Sequence, residues 1–111
     1  MGVDTTMDVI AEPSRRRILD QLLGGELPVA DLVERLELSQ PAVSKHLRVL
    51  RDAGLVDVRP DGQRRMYRLS LGPLVELDDW LEPYRRMWRD SLNNLERHLA
   101  TKGTTTNRRP R

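Results

Sequence analysis

The sequence predicts a mainly α-helical chain with one small β-hairpin, an α+β class, and three observations carry that prediction. Apolar residues recur at helical spacing in several short stretches. Two alternating segments flank a single Asp-Gly pair. A long, nearly heptad-spaced apolar seam then fills residues 71–100. The 111 residues suffice for one domain with one core. The expected organisation is a flexible N-terminus over 1–6, a folded domain over 7–100 and a disordered basic tail over 101–111.

The elements follow in order. Met7–Ala11 suits a short first helix. Pro13 opens a second, at a position where its missing N–H does no harm. Ile18, Leu19, Leu22 and Leu23 form its inner stripe, and Gly24–Gly25 end it. Pro28 starts a third, with Val29, Leu32, Val33 and Leu36 on one face. Ser39 can cap a fourth, with Pro41 in its first turn, Val43, Leu47 and Leu50 buried, and Gly54 as the stop. Only Glu37, Leu38 and Ser39 separate the third helix from the fourth, the spacing of a helix-turn-helix.

Leu55–Pro60 and Arg65–Leu69 then alternate around Asp61–Gly62, a hairpin with arginines near its tip, placed as a wing. In the closing helix, Leu74, Leu77, Leu81, Tyr84, Trp88, Leu92, Leu95 and Leu99 make the seam, and Pro83 should kink or split it.

Charge narrows the function classes. The formal net charge is only +2, but it is unevenly placed. Residues 39–70 hold seven basic side chains against three acidic ones, a net +4, whereas residues 1–38 hold four against eight, a net −4. Positive charge gathered in the helix–hairpin segment suits a phosphate-binding face. There are no cysteines, so disulfides, thiolate metal sites and a Cys nucleophile are excluded. No signal peptide and no membrane-length apolar run is visible, so a soluble cytoplasmic protein is expected. Ser44 and His46 point roughly 160° apart on a helix and cannot pair as nucleophile and base. The chain is therefore not read as an enzyme, and no cofactor is expected.

The exposed front of the fourth helix is made of Ser39, Gln40, Pro41, Ser44, Lys45 and Arg48. Small, amide and basic groups on one face fit a DNA major groove. Gln40 suits adenine, Arg48 guanine or phosphate, and Lys45 a phosphate. His46 lies at the edge of the buried stripe, where it packs or meets a phosphate. Arg64 and Arg65, with Arg68, are placed to touch the DNA backbone or minor groove. Arg15, Arg16 and Arg17 conflict with the dipole at a helix start and are read as phosphate contacts or surface ion pairs.

With EPSRRRILDQLL, GELPVADLVERLELSQPAVSKHLRVLRDAGLV and RPDGQRRMYRLS in this order, the chain resembles the ArsR/SmtB family of winged helix-turn-helix transcriptional regulators over about residues 7–99. The resemblance implies a homodimer, joined through the first and last helices, that binds a double-stranded operator. It assigns the interface to Met7, Ile10, Leu77 and Trp80, with Leu81, Tyr84, Trp88, Leu92 and Leu95. Metal-sensing relatives carry two cysteines at the start of the third helix. Here those positions are Pro28 and Ala30, so the chain resembles the branch lacking the cysteine metal site. A repressor binding an inverted repeat is the leading expectation, with the inducer unknown. The alternatives are a small-molecule or metal-responsive sensor using the aromatic-rich last helix, and an interaction module that uses the fold only to dimerise.

Overall fold

The computed structural model describes residues 2–102, with side chains for residues 2–100. Its elements are α1 (Val3–Ile10), α2 (Pro13–Leu22), β1 (Leu27–Pro28), α3 (Val29–Leu36), α4 (Gln40–Asp52), β2 (Val56–Asp61), β3 (Arg64–Leu69) and α5 (Gly72–Lys102). The mainly α, winged helix-turn-helix class is thus observed. The chain divides into two compact units, Met1–Leu77 and Asp78–Arg111. Of the basic tail expected from residue 101, Thr101 and Lys102 continue the backbone of α5, and 103–111 lie outside the described residues.

The first unit holds the core. Ile18 and Leu22 from α2, Leu32 and Leu36 from α3, and Val43, Leu47 and Leu50 from α4 are buried together with Leu55 and Val56. Each helix contributes one apolar stripe, and the stripes interlock because a lone amphipathic helix has nothing else to bury against. Leu23 departs from its expected place on the α2 stripe and is 75% exposed. It caps the helix C-terminus, one position beyond the last helical residue, and so falls outside the stripe.

Helix α1 begins at Val3, four residues before the expected start, and Thr6 is buried. The hairpin gains a third strand that the sequence did not suggest. β1 pairs antiparallel with β3 through Leu27↔Tyr67 and Pro28↔Met66, giving the order β1-β3-β2. Pro28 caps α3 and does not begin it. Because the same residue is paired with β3, the start of the helix-turn-helix is fastened to the central strand of the wing. The hairpin turn also shifts by one. Asp61 pairs with Arg64, so the turn residues are Gly62 and Gln63, and Gly62 takes the left-handed position at φ 64.

The end of α4 is tightly built. Gly54 lies at φ 79; its N–H donates to the Arg51 carbonyl at 2.9 Å, and the Leu55 N–H donates to Leu50 at 2.9 Å. This pair of bonds satisfies the last carbonyls of the helix, and the left-handed residue it needs is the glycine the sequence supplies.

In the second unit, α5 runs through Pro83 as one continuous helix, so of the expected kink or split the split does not occur. Proline removes one backbone donor, but the turns around it keep their own bonds. Arg85 also bridges across it, to Asp78 at 2.6 Å and to Glu82 at 2.6 Å. No residue from Asp78 to Ala100 is buried. Trp80 and Tyr84 pack ring against ring, with centroids 5.1 Å apart.

Candidate nucleic-acid interface

The front of α4 is built as the sequence requires. The Ser39 side chain accepts from the Ala42 N–H at 3.2 Å, fixing the helix start, and Pro41 falls in the first turn. With Val43, Leu47 and Leu50 buried, helical geometry turns Gln40, Pro41, Ser44, Lys45 and Arg48 outward, and all five are exposed.

The wing brings a second wall. Ser44, Arg48, Arg51 and Asp52 of α4 line a polar groove of about 260 Å³ whose other side carries Arg65 and Tyr67 of β3. Arg51 and Tyr67 were not among the expected contacts. Arg51 lies three residues after Arg48 and shares its helix face, so its spacing held the signal. Tyr67 reads in the sequence as a core residue of a strand, which it also is.

Not every expected contact joins this surface. His46 is only 19% exposed, and its Nε2 lies 3.7 Å from Glu12, whose carboxylate also accepts from the Arg15 N–H and so caps α2. Burial pulls the Glu12 carboxyl upward. The backbone hydrogen bonds of Ser14 and Arg15 and the nearby charges of His46 and Arg15 outweigh that and hold it below the ordinary range. Arg64 lies 3.7 Å from Asp61 at the hairpin tip, away from the groove lined by Arg65.

Arg59 makes a two-pronged contact with Glu26, at 2.7 and 3.1 Å. That hydrogen bond is the main reason the Glu26 carboxyl sits below its usual range and the Arg59 guanidinium above its own. The pair clamps β2 to the turn before β1.

The triplet at the start of α2 corrects the expected reading. Arg15 donates to the Val9 carbonyl at 3.3 Å, Arg16 to Ile10 at 2.7 Å and Ala11 at 3.0 Å, and Arg17 to Leu36 at 3.1 Å. These carbonyls end α1 and α3, so the cations meet the negative ends of two other helices. Neither phosphate nor an acidic side chain is needed to explain them.

What remains without a partner is informative. Among the described residues, Lys45, Arg48, Arg51, Arg65 and Arg68 make no hydrogen bond or ion pair, and Arg68 lies in the field of Glu26. All five lie on α4 and β3, with Arg68 on the strand face opposite Arg65.

Comparison with known proteins agrees with this geometry. Residues 12–58 match the arsR family of bacterial regulatory proteins. The HTH-type transcriptional regulator Rv2034 of Mycobacterium tuberculosis is 37% identical over 103 residues, 93% of this chain and 94% of the relative. The transcriptional repressor SdpR of Bacillus subtilis is 32% identical over 79 residues, 71% of this chain and 88% of the relative. A crystal structure described as a possible transcriptional regulator for arsenical resistance matches with a TM-score of 0.64 at 38% identity, covering 90% of this chain and 96% of that one. The chain belongs to the arsR family of bacterial regulatory proteins and is, like them, a DNA-binding transcription regulator and not an enzyme.

Proposed function

We propose that the chain is a homodimeric, cytoplasmic repressor that binds an inverted-repeat operator in double-stranded DNA, with α4 of each protomer in one major groove. The observation that carries the reading is the gathering of unpartnered cations on α4 and the wing while the arginines of α2 donate to backbone carbonyls. The SdpR relative is named a repressor, which supports that sign of regulation. Gln40 meets a base and Arg48 a guanine or a phosphate, and Ser39, Pro41, Ser44 and Lys45 line the approach to the backbone, with Arg64 and Arg65 on the wing. Half-sites are spaced about one helical turn apart. The protein works without a cofactor and without the cysteine metal site, since Pro28 and Ala30 replace the two thiols.

Dimerisation is assigned to α1 and α5, through Met7, Ile10, Leu77, Trp80, Leu81, Tyr84, Trp88, Leu92 and Leu95. Support comes from α5, where Tyr84 is 56% and Trp88 47% exposed, beside Met87. Large rings left in water invite a partner. Selection of duplexes from a random library, followed by gel shift over a salt series, tests the DNA reading. A salt-sensitive, sequence-specific complex of two protomers on a two-fold repeat is expected. Absence of any such complex sinks the proposal. For the interface, Trp88→Glu is expected to turn a dimer into a monomer in sedimentation and to abolish operator binding. A wild-type protein that sediments as a monomer at micromolar concentration rejects it.

A further inference from the structure

We propose that the groove between α4 and β3 is a seat for one backbone phosphodiester of the bound duplex, held by Arg48, Arg51 and Arg65 and by the Tyr67 hydroxyl. The proposal rests on the DNA-binding reading and adds to it a ligand atom group and two residues, Arg51 and Tyr67. Ser44, Arg48 and Arg51 follow one another at four and three residues, so they share one face of α4. Arg65 and Tyr67 are two apart on β3, so they share one face of the strand. The two faces confront each other across about 260 Å³.

The charge in that space is one-sided. Three guanidiniums line it against a single carboxylate, Asp52, and among the described residues none of the three has a hydrogen bond or ion pair. Tyr67 supplies the independent observation. It is only 9% exposed and lines the groove, yet its hydroxyl makes no hydrogen bond among the described residues and is not sealed among the buried unpaired atoms. A tyrosine packed for its ring alone needs no hydroxyl. One placed at the floor of a cationic groove donates to an anion.

With α4 in a major groove and the hairpin beside it, the strand that passes between them presents its phosphates there. A free anion offers the same chemistry, and the test separates the two sources. A seat of this kind reads charge and position, not sequence.

The experiment is fluorescence anisotropy on a duplex selected by the wild-type protein and on a scrambled one, across a salt series. Arg51→Ala and Arg65→Ala should each weaken binding to both duplexes roughly tenfold, and together lower the salt slope by no more than about 0.9. The double variant should lose little further slope, because both arginines hold the same phosphate. Tyr67→Phe should weaken binding a few-fold, about threefold, with the slope unchanged, since no charge is removed. Asp52→Asn should tighten binding.

A methylphosphonate scan should find one position per half-site that weakens the wild type and leaves the double arginine variant indifferent. Thermal melts confirm that each variant is folded. Wild-type affinity and slope in both single variants overturn the seat, as do additive slope losses, which mean two phosphates. A changed preference between the duplexes means a base contact and also overturns it. Inorganic phosphate that competes at millimolar concentration, with no effect from the methylphosphonates, reassigns the groove to a free anion. A wild-type protein that selects no duplex removes the DNA reading and the seat together.

Discussion

At the start of α2, three consecutive arginines each donate to a backbone carbonyl, whereas Lys45, Arg48 and Arg51 of α4 and Arg65 on the groove face of β3 donate to nothing among the described residues. In the sequence the triplet is the denser cluster and the more conspicuous. In the fold its donors are already engaged: it closes the ends of α1 and α3, although Arg16 and Arg17 stay exposed. The dispersed set, separated by up to twenty residues, converges on one surface because a helix face and a strand face meet. Available charge depends on which donors the fold leaves unanswered.

The comparison can be broken most decisively at α4. Replacing Lys45 and Arg48 together with Ala should cost about 2–4 kcal/mol of DNA binding, a loss of roughly a hundredfold or more. The melting temperature should barely move, because both side chains are exposed and unpaired. An equal loss of stability would show that they too are scaffolding. Arg17→Ala should do the reverse. It removes the donor on the Leu36 carbonyl and should lower folding stability by about 1–2 kcal/mol, measured by urea denaturation, with affinity per folded molecule unchanged.

Gly54→Ala sharpens the comparison between scaffold and surface without touching any charge. The left-handed φ of 79 disfavours a side chain, and an added Cβ would lie 3.4 Å from the Pro73 ring. About 1 kcal/mol of stability should be lost. The smallest effect concerns pH. Glu12 is held below the ordinary glutamate range in the folded chain, so its contribution is fully present above that range. It is lost as pH falls through the folded value, where the Glu12 carboxylate that caps α2 and lies beside His46 becomes protonated. Glu12→Gln should flatten the acid limb of the stability curve and leave the neutral region nearly unchanged in thermal melts.

The elements with strong local signals were legible. Ser39 and Gly54 mark the ends of α4 because capping and a left-handed stop each demand particular side chains, and the stripe of Val43, Leu47 and Leu50 fixes which face is buried. β1 was not legible. Two residues carry no periodicity, and a proline argues against a strand, so only the pairing with Tyr67 and Met66 reveals it. The path of α5 through Pro83 was hidden for a similar reason, since the ion pairs that bridge it lie on side chains up to seven residues apart.

Of the candidate site, the α4 front was readable from spacing, but Arg51 and Tyr67 became visible only once the wing was folded against the helix. The Arg15–Arg17 triplet was misread because its acceptors are carbonyls at the ends of other helices, which no sequence pattern announces.

One small region ties these parts into a mechanical linkage. The Ser70 N–H donates to the Leu55 carbonyl at 2.9 Å, joining the strand that leaves the wing to the residue that enters it. Three residues later Pro73, in the first turn of α5, lies close against Gly54, the stop of α4. Three chain segments thus share a single pivot with no slack between them. The end of α4, the exit of the wing and the first turn of α5 are therefore held at one junction beside Leu55 of the core.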